Sequence, residues 1–173
     1  MFSRETVMKK SLIVCVALAS LMSAPALAQD KASQKFLTEA IQGNFAEVAM
    51  GQLAQQNGER SDVKAYGQML ATDHGGANQK AMEAAKAINV TPPTGPSDKQ
   101  KADMAKMEKQ KGAAFDKAFA HHMVADHKKD IAAYQKESRK TDAAGQYAKD
   151  TLPTLQKHLD GAQALEKNKP AGR

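Results

Sequence analysis

Apolar side chains recur at spacings of three, four and eight positions along residues 115–134, FDKAFAHHMVADHKKDIAAY. This spacing keeps them on one face and predicts an amphipathic helix. Similar periodicity predicts three further long helices, over residues 33–56, 62–88 and 143–167. No stretch has the alternating pattern of a strand. The pattern therefore predicts an all-α fold.

Turn-forming residues separate the predicted helices. Asn57-Gly58 ends the first helix, and the short turn after it predicts an antiparallel hairpin with the second. Prolines exclude helix from residues 89–97, NVTPPTGPS, and the segment 97–100 fits a capping box that opens a lysine-rich helical stretch. Gly112 is expected to bend or interrupt that stretch before the next helix. Two hairpins joined by one longer Pro-rich crossover between helices 2 and 3 predict a ferritin-like four-helix bundle.

The chain begins with the features of a cleaved signal peptide. Met8-Lys9-Lys10 is a positively charged start, residues 11–22 are apolar, and Ala26-Leu27-Ala28 matches a cleavage site. The apolar run falls short of the ~20 residues that a transmembrane anchor needs. An exported, periplasmic protein is therefore expected, free or peripheral to the outer membrane, with no integral membrane segment after cleavage. The predicted parts are a signal peptide over residues 1–28, a helical bundle domain over 29–168 and a disordered tail over 169–173.

Charge and cysteine content narrow the possible partners. Cys15 is the only cysteine and lies in the predicted signal peptide, so the mature domain is expected to hold no disulfide. Once Arg4, Glu5, Lys9 and Lys10 leave with that segment, 22 of the 25 basic and 18 of the 19 acidic residues remain, a net charge of +4. Lysines spread along helices are ordinarily a solvated face, and an anionic envelope component is a candidate partner. No aromatic-rich basic stripe or zinc-finger spacing occurs, which argues against a nucleic-acid partner.

Three histidines, His74, His127 and His158, fall on the apolar stripes of three different predicted helices. Each lies near the middle of its helix, as does Glu47 at the edge of the first stripe, so all four are expected at one level of the bundle. Imidazole together with carboxylate suits zinc, iron, copper, nickel or manganese. The sequence therefore predicts a site for one transition-metal ion with these four residues as ligands. Neighbouring aspartates are expected to support the rings or to add ligands: Asp73, Asp126 and Asp130.

A purely structural role for the same residues is the alternative. A histidine on an apolar stripe is commonly a hydrogen-bonded core residue, and Glu47 would then be its partner in a buried network. The protein would in that case be a non-catalytic interaction or structural protein of the cell envelope. His121 and His122 diverge from the stripe and are predicted to face solvent.

Motifs that would indicate an enzyme are missing from the sequence. Di-iron bundles carry Glu-x-x-His on two helices, whereas no glutamate of this chain has a histidine three residues later. There is also no nucleophile elbow, no phosphate-binding loop and no cysteine nucleophile. These absences argue against catalysis, so the expected role is metal handling or a response to envelope stress.

Pro153 lies inside the last predicted helix, five residues before His158. A proline removes one helical hydrogen bond, here to the carbonyl of Lys149, and is predicted to kink the helix. The kink would either aim His158 into the bundle or be a tolerated bend, and the bend is favoured.

The helical segments together resemble a bacterial family. The segments are FLTEAIQGNFAEVAMGQLA (36–54), VKAYGQMLATDH (63–74), the Pro-rich linker, AAFDKAFAHHMVADH (113–127) and LPTLQKHL (152–159). They are similar to the secreted domain-of-unknown-function family often labelled "predicted outer membrane protein". The resemblance implies a ferritin-like helical fold and no established activity. The label suits a sequence without a lipobox poorly, so a periplasmic domain is expected. The residues that match the family's motifs are Glu47, Asp73, His74, Asp116, His127, Pro153 and His158.

Overall fold

The computed structural model describes residues 30–168, and helices make up most of them. The predicted all-α class is confirmed, since no strand occurs within this part of the chain. The predicted signal peptide and tail, residues 1–28 and 169–173, lie outside the described residues. The helices are α1 (Lys31–Asn57), α2 (Ser61–Ala87), α3 (Asp98–Glu108), α4 (Gly112–Glu137) and α5 (Ala143–Lys167).

The lysine-rich stretch forms its own short helix, α3, so the described residues contain five helices and not four. The predicted capping box at its start is present: the Ser97 side chain accepts from the backbone of Gln100, and the Gln100 side chain accepts from the backbone of Ser97. After α3 the chain leaves helical geometry, and Gly112 adopts a φ of +61°. L side chains rarely adopt this conformation, which explains why the interruption falls at a glycine.

The long helices pack as two hairpins side by side. α1 lies along α2 and α4 lies along α5, while α2 faces α5 and α1 faces α4. The first hairpin is unusually close at Gly67, where an added Cβ would lie 2.6 Å from the carbonyl oxygen of Gly51. α3 packs mainly on the outside of α1, with Met107 as its one buried residue. The core of the described chain therefore lies between the four long helices.

The buried side chains follow the predicted apolar stripes. Phe115 and Phe119 of α4 stack at 5.4 Å between ring centroids, and Tyr66 of α2 meets Phe119 edge-on at 6.0 Å. Leu37 and Leu70 are also fully buried. Within residues 30–168, no helix is long and apolar enough to cross a membrane.

Asp116 joins the start of α4 to the turn between α1 and α2. Its two carboxylate oxygens accept the backbone N–H groups of Glu59 and Arg60, each at 3.0 Å. These two amides precede the first turn of α2, where donors lack partners within the helix. Asp116, one of the motif residues, therefore holds the first hairpin against α4 and does not belong to the histidine cluster.

α5 continues through Pro153 from Ala143 to Lys167. Thr151 donates its hydroxyl to the carbonyl of Tyr147 at 2.7 Å in the turn before the proline. His158, further along the helix, is fully buried. α5 therefore accommodates the proline without ending and still directs His158 into the core.

Candidate metal centre

The three predicted histidines meet in the core. His74 lies on α2, His127 on α4 and His158 on α5, with exposed fractions of 4%, 1% and 0%. One ring nitrogen of each lies within 4.8 Å of one ring nitrogen of both others. The ring centroids are 5.1 to 5.8 Å apart. The three histidines therefore form one buried cluster, and Glu47, which was predicted at the same level, is not among the residues grouped with them.

One nitrogen of each ring forms a hydrogen bond with an acceptor outside the cluster. His127 Nδ1 lies 2.9 Å from the backbone carbonyl of Met123, and His158 Nε2 lies 2.9 Å from the carboxylate of Asp73. A carbonyl or carboxylate only accepts, so both nitrogens carry the proton. The remaining nitrogens, Nε2 of His127 and Nδ1 of His158, are then bare lone pairs.

Asn44 likewise fixes the tautomer of His74. The amide nitrogen of Asn44 donates to the hydroxyl of Tyr147 at 3.1 Å, which leaves its oxygen facing His74 Nδ1 at 2.9 Å. His74 Nδ1 therefore donates, and its Nε2 is the third bare lone pair. Tyr134 extends this chain, with its hydroxyl 3.3 Å from that of Tyr147.

None of the three bare nitrogens has a hydrogen-bond partner in the described part of the chain. Two further buried atoms there also lack one, Oε2 of Glu47 and Oδ1 of Asn78. The three ring nitrogens and the Asn78 oxygen are acceptors, as is the Glu47 oxygen when the carboxyl is ionised, and an unpartnered buried acceptor costs roughly 1–3 kcal/mol. The interior of the bundle therefore has an excess of lone pairs that only a donor or a cation can satisfy.

Burial keeps the three imidazoles neutral. It lowers the pKa of His74 well below its usual value, with the neighbouring His158 and His127 adding to the effect. It lowers the pKa of His127 to about 4, and that of His158 in the same direction although Asp73 opposes the shift. Metal ions bind the neutral form of histidine, so near neutral pH all three rings are in the form that ligation needs.

The separation of the nitrogens fits a metal ion after a small contraction. A metal–nitrogen bond of about 2.0–2.1 Å places two tetrahedral ligand atoms about 3.3 Å apart. The upper limit of 4.8 Å is about 1.5 Å longer, a difference that modest ring rotations can close. Asp73, Met123 and Asn44 supply the acceptors that orient metal-bound histidines in proteins. The residues present therefore fit a tetrahedral metal site with three histidine ligands and one coordination position left open.

Glu47 stands apart from this three-histidine group, although it is only 3% exposed. It lines a cleft of about 510 Å³ between α1, α3 and α4, together with Asp126 and Asp130. Burial, and then the charges of these two aspartates, raise the pKa of Glu47 well above its usual range. Burial likewise raises the pKa of Asp130 to about 7. The structure thus groups the three histidines in the core and places the three acids together in the cleft.

The aspartates named from the sequence differ in what they contact. Asp73 is the acceptor of His158, as a supporting residue should be. Asp126 acts on His127 only through its charge, which opposes the lowering of the ring's pKa. The two histidines expected at the surface also differ: His121 is exposed and lies 3.1 Å from Glu166, whereas His122 is half-buried and lines the cleft.

Asn44 and Tyr147 are the site residues that sequence reasoning missed. Both lie on apolar stripes, Asn44 one turn after Ile41 on α1 and Tyr147 one turn before Thr151 on α5. A buried asparagine on such a stripe needs partners for both ends of its amide, which was the available signal. Its partners lie 30 and 103 residues away and only the fold identifies them.

Comparison with known proteins places the chain in a family. No curated protein and no solved structure matches it. A family model described as "Domain of unknown function (DUF4142)" matches residues 17–165, and this range includes every residue of the histidine and acid clusters. The match spans most of the chain, and the chain therefore belongs to the DUF4142 family of domains of unknown function.

Proposed function

We propose that this protein is an exported metal-binding helical bundle that holds one transition-metal ion through His74, His127 and His158. The observation that carries the proposal is a buried cluster of three histidines, each with one ring nitrogen that has no hydrogen-bond partner. A buried lone pair without a donor is costly, and a cation shared by the three rings would satisfy all of them. Imidazole suits zinc, copper, iron or nickel better than magnesium or calcium.

The surroundings of the rings support ligation over a network of hydrogen bonds. We call the three bare nitrogens inner and the three hydrogen-bonded ones outer. In a closed network, a donor would fill each inner nitrogen, because buried polar groups are normally paired. Here the outer nitrogens are paired and the inner ones are not. This division is the one that metal-bound histidines show, with the second nitrogen held by a carboxylate or carbonyl.

Metal handling is the role that suits this site. The three rings are at most 4% exposed, so the site has no open face where an organic substrate could approach the metal. Binding, storage or delivery of the ion needs only ligands and a route to them. We infer a ferritin-like arrangement of the four long helices in the periplasm, supported by the pairing of α1 with α2 and α4 with α5 around a long connection.

A non-catalytic envelope protein with a buried polar network is the second candidate. It is favoured by the chain from His74 through Asn44 and Tyr147 to Tyr134, which would serve a scaffold equally well. In that protein the inner nitrogens would be bridged by a water molecule, and no metal would be required.

Cobalt uptake separates the two candidates. The mature protein, purified without an affinity tag and stripped with a chelator, is titrated with Co²⁺ and followed by visible absorption, since tetrahedral Co²⁺ absorbs strongly. We expect one Co²⁺ per chain in the wild type and loss of that absorption in His74→Gln and His127→Gln. His121→Gln with His122→Gln is the matched control and should retain it.

Elemental analysis of the protein from the periplasmic fraction completes the test. Stoichiometric metal in the wild type, absent from His127→Gln, would support the proposal and name the ion. A folded wild type that takes up no Co²⁺, Zn²⁺ or Cu²⁺ would overturn it in favour of the scaffold. N-terminal sequencing of the same material tests export, with Gln29 as the expected first residue.

A further inference from the structure

The cleft between α1, α3 and α4 is the second polar site of the described chain. Its volume of about 510 Å³ is ample for a hydrated ion, and the buried Glu47 is one of its lining residues. The N-cap and the first two turns of α3 line it through Ser97, Gln100 and Met104. The cleft therefore has a buried floor and a rim that belongs to a short helix.

Glu47 is the residue that the packing does not explain. The residue is only 3% exposed, and its Oε2 has no hydrogen-bond partner within residues 30–168. Its other interaction is with the carboxyl of Asp126, which is itself an acceptor when ionised. An ionised carboxylate buried without a donor or cation is expensive. Glu47 therefore either keeps a proton, which is why its pKa is raised, or gives that proton up to a positively charged occupant.

The remaining charges around Glu47 leave this demand unmet. Asp126 and Asp130 face it from α4, and Glu39 and Asp103 add two further acids at the rim. The basic residues of the lining are Lys99, whose Nζ is 2.7 Å from Asp103, and Lys129, whose charge opposes the rise in the pKa of Asp130; His122 also lines the cleft. The lining thus carries five acids against two lysines.

We propose that Glu47, Asp126 and Asp130 form a second cation site that takes a hydrated, oxygen-preferring divalent ion of the Mg²⁺ and Mn²⁺ class. Such ions keep several of their waters and bind through one or two carboxylates, which suits a roomy cleft whose acids are not drawn into a tight cage. Glu47 and Asp126 contact the ion, and Asp130 holds its waters.

The ligand atoms keep this site separate from the histidine cluster. Mg²⁺ prefers oxygen and binds imidazole poorly, whereas the histidine site offers only nitrogen. The proposal therefore does not depend on the metal at the three histidines, and each site can be tested with the other intact.

Binding of Mn²⁺ and its displacement by Mg²⁺ test the proposal. The free Mn²⁺ signal in electron paramagnetic resonance falls as the ion binds to the metal-free mature protein. We expect one Mn²⁺ per chain that millimolar Mg²⁺ displaces. Glu47→Gln should weaken this binding about tenfold or more, because the affinity of such sites follows the charge of the ligands.

Two controls keep the outcome decisive. Asp150→Asn removes an exposed acid of α5 in a different cleft and should bind Mn²⁺ like the wild type. His127→Gln should also retain the Mg²⁺-displaceable ion, which distinguishes this site from the histidine site. If Glu47→Gln loses its helical circular dichroism, Asp130→Asn is measured in its place. A folded wild type that binds no Mn²⁺, or Mn²⁺ that Mg²⁺ does not displace, would overturn the proposal, as would unchanged binding in Glu47→Gln and Asp130→Asn.

Discussion

His158 donates its Nε2–H to the carboxylate of Asp73 across 2.9 Å, and this bond joins α5 to α2 at the level of the histidine cluster. The imidazole is fully buried, whereas the Asp73 side chain is 30% exposed. A negative charge therefore reaches the cluster from a residue that water still contacts. It holds the ring in one tautomer and makes its inner nitrogen a stronger ligand.

Asp73→Asn should weaken metal binding without unfolding the protein. The amide oxygen can still accept from His158, but the charge that raises the basicity of the ring is lost. We expect the affinity for Zn²⁺ to fall about 10–100-fold, as for other carboxylates that support metal-bound histidines. Competition with a chromophoric chelator measures this change.

Asp160→Asn is the matched control for that experiment. Asp160 is an exposed acid of α5 that accepts from Gln156 at 2.9 Å and contacts none of the three rings. Its substitution should leave the affinity unchanged. Equal affinities in the wild type and Asp73→Asn would mean that the aspartate serves the packing of α2 on α5 and does not tune the metal.

The metal-free protein should lose stability as the pH falls from 6.5 to 4. The pKa of His127 is about 4 in the folded chain against a reference value of 6.5. Between these values the unfolded chain binds a proton that the native chain excludes, so protonation favours unfolding. The full shift corresponds to about 3 kcal/mol.

Urea denaturation at pH 7 and at pH 4 checks this dependence. His127→Gln should lose about 3 kcal/mol less than the wild type over the same interval, because its side chain does not titrate. An identical loss in both proteins would show that the acid sensitivity arises elsewhere.

Asp130 should have the opposite effect. Burial and the charge of Asp126 raise its pKa to about 7 from a reference value of 3.8. Between pH 3.8 and 7 the native chain keeps a proton that the unfolded chain has released, so stability falls as the pH rises. Because Asp130 is partly exposed, we expect about 2 kcal/mol, roughly half of the full conversion.

Asp130→Asn tests this effect in the metal-free protein. The variant should gain about 2 kcal/mol relative to the wild type when the pH is raised from 4 to 8, measured by denaturant unfolding. Added Mn²⁺ at pH 8 should reduce the advantage if the acid cleft binds that ion, because the cation offsets the buried charge.

Helical periodicity accounts for what could be predicted. His74, His127 and His158 each interrupt an apolar stripe near the middle of a long helix, and antiparallel neighbours bring mid-helix positions to one level. Both their burial and their convergence follow from these two facts. The capping box at Ser97 was equally readable, since it is a local pattern of four residues.

Contacts between residues far apart in sequence account for the parts of the site that the sequence could not predict. The sequence predicts Glu47 as a fourth metal ligand because it lies near the middle of its helix, like the histidines. A residue at the edge of a stripe, however, can face either neighbouring helix. Glu47 turns to α4 and meets Asp126. The bond from Asp73 to His158 spans 85 residues and depends on how α2 meets α5, which periodicity does not specify.

The close packing of α1 against α2 can be tested by substituting two glycines of α2. Gly67 is buried, and a Cβ there would lie 2.6 Å from both the Gly51 oxygen and the Ala54 Cβ. Gly76 is exposed, and a Cβ there would meet nothing within 4 Å. Both are helical, so alanine has the same intrinsic advantage at each.

Gly67→Ala should therefore destabilise the protein by about 1–3 kcal/mol, because the backbones must separate to admit the methyl group. Gly76→Ala should stabilise it by about 0.5–1 kcal/mol through helix propensity alone. Thermal unfolding of the two variants beside the wild type measures both. Since α2 carries His74 and α1 carries Asn44, Gly67→Ala should also weaken Co²⁺ binding, while Gly76→Ala should leave it intact. Equal effects of the two substitutions would contradict the close packing of this hairpin.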